Sequence, residues 1–257
     1  ARAAADGKLD VQVDAEAARG EVRDLTLAFS QMTQDLQKNI RELRRATAMR
    51  ERVEGELDAA RTIQMGLVPQ KFPAFPDRPE IDLHGFVLPA REVGGDLCNY
   101  FFVDDRRLAV MVGDVAGKGV PAALFMAVTN TLLKAYSQPG LTPGEVVTLA
   151  NAELYEEAAG GVFVTLVYAR FDTMTGDLEY CSAGHPPPFV ITADGSLRSL
   201  ERAQSPACAI LKDVRFSTIR TRLAPGDTVL FFTDGVTEAH NPERKLFSED
   251  RLEAELR

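Results

Sequence analysis

Two aspartates at the open end of a predicted hairpin are the residues best placed to do chemistry. Asp96 precedes the apolar run 97–103, and Asp114 closely follows a second run at 107–112. An antiparallel hairpin that turns at residues 104–106 pairs residues whose numbers add to 210, which sets Asp96 opposite Asp114. Two facing carboxylates repel each other unless a proton or a cation lies between them. The spacing therefore predicts a metal site.

A third aspartate follows another apolar strand. Residues 228–232 read Thr-Val-Leu-Phe-Phe, and Asp234 and Gly235 come directly after Thr233. A set of oxygen ligands with no clustered histidine favours Mg²⁺ or Mn²⁺ over Zn²⁺. Two such ions that share a carboxylate can polarise a water and hold a phosphoryl group for in-line attack.

Other phosphate and hydrolase chemistries fit the sequence less well. Residues 113–119 resemble a P-loop but are one residue short, and Gly119 stands where a Ser or Thr must bind Mg²⁺. There is no GxSxG elbow, and no cysteine is followed by five residues and an arginine. His185 lies in the proline-rich run 182–188, where it could act as a general acid or brace a loop by hydrogen bonding. Both roles stay open.

Composition limits the classes of function. The 257 residues carry a net charge of −9, and residues 71–257 alone hold 18 basic and 26 acidic side chains. So acidic a body argues against nucleic acid as a partner. The three cysteines are scattered and odd in number, which suits a reducing compartment. No apolar window reaches the length of a membrane helix, and the first residues do not resemble a signal peptide.

The first part of the chain predicts one long helix over 21–65. It contains no proline and a single glycine, and its apolar residues recur at steps of three and four. Such a stripe, with charged residues on the other faces, is typical of a dimeric coiled coil. The helix would extend roughly 65 Å. Two consecutive steps of four at Leu36 and Ile40 form a stutter that would locally unwind the supercoil.

The remainder predicts antiparallel sheets with helices packed on them, an α+β class. Prolines at 69, 73, 76 and 79 mark a joint over 68–80. Strands are expected at 81–87, 97–103, 107–112, 162–171, 178–181, 188–191, 197–200, 215–222 and 227–232. Helices are expected at 121–136, at 142–158 and after Ser248.

Four stretches in order, 89–96, 113–123, 182–187 and 232–239, resemble the SpoIIE/RsbU-type branch of the PPM (PP2C-like) metal-dependent serine/threonine phosphatases. The resemblance implies a two-sheet antiparallel β-sandwich flanked by helices, with αββα layers. It also implies hydrolysis of phosphoserine or phosphothreonine with two Mn²⁺ or Mg²⁺ ions. In this chain the substrate would be a small regulator, such as an anti-sigma-factor antagonist of the STAS type.

The same resemblance assigns roles to particular residues. Asp114 would bridge the two metals, Asp96 and the Val115 carbonyl would serve the first, and Asp234 would hold the second. Arg91 stands where PP2C enzymes keep a phosphate-binding arginine. A further family aspartate, in a C-terminal Asp-Asp-x-Thr strand, would come after Arg257. The second ion is therefore expected to bind weakly in this fragment, with low activity.

Residues 20–33 resemble the second helix of a HAMP module. The resulting division is a partial HAMP module at 1–33, a coiled-coil linker at 34–67, the joint at 68–80 and a C-terminally truncated phosphatase domain at 81–257. We expect a homodimer and a cytoplasmic location, as part of an inner-membrane receptor. Two alternatives are a non-catalytic module that binds its partner without hydrolysis, and a signalling coil attached to a passive domain.

Overall fold

The computed structural model describes residues 19–69, 72–89 and 93–257. The chain divides into two compact units, one ending at Ala59 and the other spanning Ala60–Arg257. The start of the predicted HAMP module lies outside the described residues.

The predicted N-terminal helix is present as α1 (Glu21–Met65). Its apolar stripe faces solvent in the single chain, and six members are between 40% and 73% exposed: Leu25, Met32, Leu36, Leu43, Met49 and Val53. Among the described residues, no helix has both the length and the apolar character needed to cross a membrane.

The second unit contains eight strands and four further α-helices among its described residues. The strands are β1 (Leu97–Phe102), β2 (Arg107–Val115), β3 (Val164–Asp172), β4 (Asp177–Ala183), β5 (Phe189–Ile191), β6 (Leu197–Ser199), β7 (Ile219–Arg222) and β8 (Thr228–Leu230). The helices are α2 (Val120–Tyr136), α3 (Pro143–Glu157), α4 (Asp234–Thr237) and α5 (Glu249–Leu256), with a short 3₁₀ turn at Ala159–Gly161. A five-stranded sheet has the order β1-β2-β3-β4-β7, and a three-stranded sheet has the order β6-β5-β8. Every strand pair is antiparallel.

Alternation along β3 shows how the layers form. Leu166 and Tyr168 belong to a core shared with α2 and α3, whereas Val167 and Ala169 pack with Val190 and Leu200 on the side of the smaller sheet. Successive residues of a strand point to opposite faces, so one strand fills two cores. A third core joins Phe189 and Phe232 to Leu252 of α5. The layers are helices, sheet, sheet and helix, and the predicted α+β sandwich is confirmed.

The strand predicted at 81–87 is wrong. Residues 81–89 alternate between half-buried and exposed but join no strand ladder. Gly85 instead approaches side chains: a Cβ placed there would lie 3.3 Å from Cys98 Sγ and 3.7 Å from the Tyr100 ring. The alternating pattern marked an extended segment with one covered side, which side-chain packing provides without backbone pairing. The strand predicted at 215–222 is likewise shorter and begins at Ile219.

Candidate metal centre

The hairpin places Asp96 and Asp114 at the same end of two paired strands. Strands β1 and β2 pair with Leu97 opposite Gly113, which is the register expected from the sequence. Continued by one residue, that register sets Asp96 against Asp114. On its other side Asp114 pairs with Thr165 of β3. The position of Asp114 is therefore fixed by neighbours on both flanks.

Gly95 leaves space beside the Val115 carbonyl and the Asp114 carboxylate. The Val115 N–H donates to the Gly95 carbonyl at 3.3 Å, so the two segments run close together. A Cβ on Gly95 would lie 2.8 Å from the Val115 carbonyl oxygen and 3.2 Å from Asp114 Oδ1. Real Cβ atoms do not approach an oxygen as closely as the first distance. A side chain here would cover the two atoms that the resemblance assigns to metal binding.

Asp234 reaches the same edge from the smaller sheet. It begins the short helix α4, four residues after Leu230, the last paired residue of β8. Burial and the charge of Asp234 raise the pKa of Asp96, while the side chain of Thr233, the residue before Asp234, lowers it. The three predicted carboxylates therefore lie within electrostatic reach of one another.

The electrostatics of the cluster call for a cation. Burial, followed by the charges of Asp96, Asp234 and Glu238, raises the pKa of Asp114 to about 7, against one opposing backbone hydrogen bond from Val115. Burial and the charge of Asp234 also raise the pKa of Asp96. Among the described residues, every charge that shifts the pKa of Asp114 is another carboxylate. A bound divalent ion would reverse this repulsion.

The donor set fits Mg²⁺ or Mn²⁺. It combines carboxylate oxygens with the Val115 backbone carbonyl, beside which Gly95 leaves no side chain, and these are the ligands that hard cations prefer. Within residues 19–69, 72–89 and 93–257, no three acidic, histidine or cysteine side chains are already close enough to enclose an ion. Repulsion between carboxylates opposes such closure, so these side chains would have to close around the ion as it binds.

Two further residues, Arg91 and Glu238, bear on the site in different ways. Arg91 lies outside the described residues, and its phosphate-binding role stays a prediction. Glu238 has no expected role from the sequence, although its charge contributes, after burial and the charges of Asp96 and Asp234, to the raised pKa of Asp114. It follows Asp234 by four residues, the spacing that puts two side chains on one face of a helical turn. That spacing is the signal by which Glu238 could have been found.

His185 braces the fold beside this centre. It is 2% exposed, Nδ1 lies 3.0 Å from the Thr165 hydroxyl, and Nε2 lies 3.0 Å from the Phe232 carbonyl oxygen. Burial lowers its pKa to about 4, against smaller opposing effects from its hydrogen bonds and from Asp234. Because both ring nitrogens are engaged and the ring is neutral at pH 7, the geometry favours bracing over general-acid chemistry.

Gln64, near the end of α1, holds the backbone next to the site. Its side-chain NH₂ donates to the Gly94 carbonyl at 2.5 Å, and the Gly94 N–H donates to Gln64 Oε1 at 3.1 Å. The side chain is only 7% exposed. This two-point contact lies within the unit Ala60–Arg257 and fixes the segment two residues before Asp96.

Replacing Gln64 with alanine should therefore reduce both stability and metal binding. Two half-buried backbone groups of Gly94 would lose their partner, which should cost about 2 kcal/mol of unfolding free energy. Looser placement of Gly95 and Asp96 should weaken Mn²⁺ affinity by about threefold to tenfold. Urea denaturation and calorimetric Mn²⁺ titration measure the two effects. The control is Gln34→Ala, an exposed position on α1, and equal Mn²⁺ affinity in both variants would contradict the expectation.

The raised pKa of Asp114 predicts that Mn²⁺ binding depends on pH. An ion must displace the proton that Asp114 retains below about pH 7. Apparent affinity should therefore fall by about tenfold per pH unit below that value and level off above it. The raised pKa also affects the stability of the metal-free protein. The folded state binds the proton of Asp114 more tightly than the unfolded chain does, so the contribution of Asp114 to stability decreases as pH rises from about 4 to about 7.

Calorimetric Mn²⁺ titrations between about pH 5.5 and pH 8.5 test this dependence, in two buffers of different ionisation enthalpy so that released protons are counted. An affinity that is constant over this range, with no proton release, would show that Asp114 is already ionised.

Comparison with known proteins identifies first the fold and then the family. The fold matches the solved SiaA-PP2C domain of Pseudomonas aeruginosa with a TM-score of 0.68 and 22% identity, over 81% of this chain and 83% of that one. The architecture is therefore that of a PP2C-type domain. The family model of stage II sporulation protein E (SpoIIE) matches residues 104–257. The chain belongs to the SpoIIE family.

Two curated relatives carry the name phosphoserine phosphatase, both from Bacillus subtilis. RsbU is 29% identical over 192 residues, which cover 74% of this chain and 56% of RsbU. RsbP is 28% identical over 189 residues, covering 71% of this chain and 45% of RsbP. The chain thus spans about half the length of these curated relatives.

Proposed function

We propose that this chain is a metal-dependent protein phosphatase that hydrolyses phosphoserine or phosphothreonine on a regulatory protein. The observation that carries the proposal is the placement of Asp96, Asp114 and Asp234 at one edge of the sandwich, where burial, followed by the charges of the neighbouring carboxylates, raises the pKa of Asp114 to about 7. The names of the relatives RsbU and RsbP support the reaction class.

Each of the site residues would have a separate role in this reaction. Asp114 would be shared between two ions, Asp96 and the Val115 carbonyl would serve the first ion, and Asp234 would hold the second. When bound, such ions supply an activated water and a clamp on the phosphoryl oxygens. Arg91 would bind the phosphate through its paired N–H donors. His185, neutral and engaged at both nitrogens, would hold position and transfer no proton.

The proposed substrate is a phosphorylated STAS-type regulator. Among the solved structures, the RsbU and RsbW domains of Rv1364c from Mycobacterium tuberculosis match this chain with 32% identity and a TM-score of 0.56, over 65% of this chain and 46% of that one, which supports a phosphatase of the RsbU type. Control would come from a HAMP-like and coiled-coil input, in a cytoplasmic part of a membrane-anchored receptor. Either Mn²⁺ or Mg²⁺ suits the proposed ligands.

A titration of Mn²⁺ and of Mg²⁺ against phosphate release tests the reaction. The substrate is a STAS-type protein phosphorylated on serine, and the same chain treated with a chelator is the control. Metal-dependent release is expected. Binding of the phosphorylated protein with no release at any metal concentration would favour the alternative of a non-catalytic binding module.

The proposal includes a homodimer formed through α1. Its exposed apolar stripe needs a partner surface, because a long helix gains most of its stability from packing one apolar face. Leu43→Glu would place a charge in this seam and should shift sedimentation equilibrium from dimer towards monomer by about tenfold or more in dissociation constant. The matched control, Arg44→Glu, changes an exposed position off the stripe. Equal masses for both variants would contradict a dimer that forms through this stripe.

A further inference from the structure

The three acidic residues of the candidate centre are carried by two different sheets. Asp96 and Asp114 belong to the hairpin of the five-stranded sheet, whereas Asp234 follows β8 of the three-stranded sheet. The sheets meet through apolar side chains such as Val167 and Val190. Apolar contacts are not directional and leave small sliding movements possible. A site divided between the sheets therefore needs a directional contact to fix its two halves.

His185 provides such a contact at the edge where the carboxylates lie. The Thr165 hydroxyl, on one side of the ring, belongs to the β3 residue that pairs with Asp114. The Phe232 carbonyl, on the other side, lies two residues before Asp234. One imidazole ring thus joins the neighbour of Asp114 to the chain that leads to Asp234.

The hydrogen-bond directions follow from the partners. A carbonyl oxygen only accepts, so Nε2–H donates to Phe232. In the neutral ring Nδ1 then accepts, and the Thr165 hydroxyl donates to it. Both contacts are 3.0 Å, an ordinary length for a full hydrogen bond. The proton of the Thr165 hydroxyl is committed to this bond in preference to the Asp114 carbonyl, which lies 3.4 Å away.

The backbone around His185 is held in place as well. The Ser182 hydroxyl donates to the His185 carbonyl at 3.2 Å. Gly184 has φ of +67°, and a Cβ on it would lie 2.9 Å from the Ala207 nitrogen. Any other residue at 184 would be strained and would push the loop outwards. These contacts hold the loop at residues 184–185 in the conformation that places the His185 ring between Thr165 and Phe232.

We propose that His185 is a positioning residue that sets Asp234 against Asp114 across the two sheets, and that Thr165 is its partner in this role. The inference rests on the proposed metal-dependent function. Neither residue touches an ion or a substrate. Their effect should fall on the ion that depends on Asp234 and spare the one that Asp96 and Asp114 hold.

Mn²⁺ titration monitored by electron paramagnetic resonance tests this assignment without an activity assay. The Asp234-dependent ion is identified as the binding phase lost in Asp234→Asn. His185→Phe, which keeps a ring of similar size but no hydrogen bonds, should weaken that phase by about tenfold to a hundredfold. The other phase should change by less than about twofold when His185→Phe is introduced into the wild-type protein, and likewise when it is introduced into Asp234→Asn.

Thr165 variants keep the test decisive if His185→Phe does not fold. Thr165→Val removes one contact of the ring and should weaken the same phase, while Thr165→Ser retains the hydroxyl and should restore it. Asn151→Ala is the stability control. Asn151 is fully buried and hydrogen-bonds to the backbone of Ala209, Leu211 and Lys212, so its loss should lower the melting temperature but leave both Mn²⁺ phases unchanged.

The possible outcomes distinguish a failure of the positioning role of His185 from a failure of the proposed metal-dependent function. Equal weakening of both phases in His185→Phe, or no weakening in either His185→Phe or Thr165→Val, would overturn the positioning role and leave the metal centre intact. Wild-type protein that binds no Mn²⁺ through Asp234 would overturn the two-metal centre, and the positioning role with it.

Discussion

Asp114→Asn is expected to lower metal-dependent phosphate release by about a thousandfold or more. The substitution keeps the shape of the side chain but removes the charge that would be shared between two ions. Stabilisation of several kcal/mol by bound metal corresponds to at least this factor in rate. The fold should persist, and metal-free protein should become more stable at about pH 8, because the repulsion from Asp96, Asp234 and Glu238 would lose its target.

Asp105→Asn is the matched control for this variant. Asp105 is an exposed aspartate at the turn of the same hairpin, at the end opposite to Asp114. It should retain wild-type turnover and Mn²⁺ affinity. Turnover numbers with a serine-phosphorylated substrate measure the difference. Comparable rates for the two variants would show that this end of the hairpin is not the catalytic centre.

Gly95→Ala should abolish measurable metal binding. Unlike any aspartate variant, it leaves the net charge of the site unchanged. The added Cβ would lie 2.8 Å from the Val115 carbonyl oxygen and 3.2 Å from Asp114 Oδ1. The nearer obstruction is a backbone oxygen of a paired strand, which cannot withdraw cheaply, and the Asp114 carboxylate would have to rotate away from its present position. We expect at least about a hundredfold loss of Mn²⁺ affinity, together with about 1–3 kcal/mol of destabilisation from overpacking.

Gly140→Ala controls for the general effect of replacing glycine. A Cβ at that position meets no atom within 4 Å. Its stability should stay within about 0.5 kcal/mol of wild type, and its Mn²⁺ affinity should not change. Calorimetry on both variants provides the comparison. Tight Mn²⁺ binding by Gly95→Ala would mean that the Val115 carbonyl takes no part in the centre.

The parts of the fold that were predictable depend on local, repeating rules. Strand pairing allows only one residue to face each residue of a hairpin, so the register at Leu97 and Gly113 followed from the turn alone. The extent of α1 followed from its unbroken three-and-four periodicity and from the prolines beyond it. The helix expected at 142–158 is likewise present as α3, and Thr142 and Glu145 form a capping box at its start.

What could not be predicted involves contacts between distant parts of the chain. Nothing in the local pattern of 81–87 reveals whether a ladder partner is available, and none is used. Gln64 and Gly94 are 30 residues apart and meet through a side chain on backbone atoms, which leaves no periodic trace. His185 was recognised as a residue of interest, but its choice of Thr165 and Phe232 as partners depends on how the two sheets stack.

The sheet order also gives the two hairpin aspartates different freedom to move. Strand β1 is the terminal strand of the five-stranded sheet, so the chain leading from Asp96 is paired on one side only, whereas β2 is paired on both. Amide hydrogens of an outer strand exchange with solvent through smaller local openings than those of an interior strand. Asp114 is thus the fixed reference of the centre, and the position of Asp96 depends in addition on the contact of Gln64 with Gly94 that precedes it.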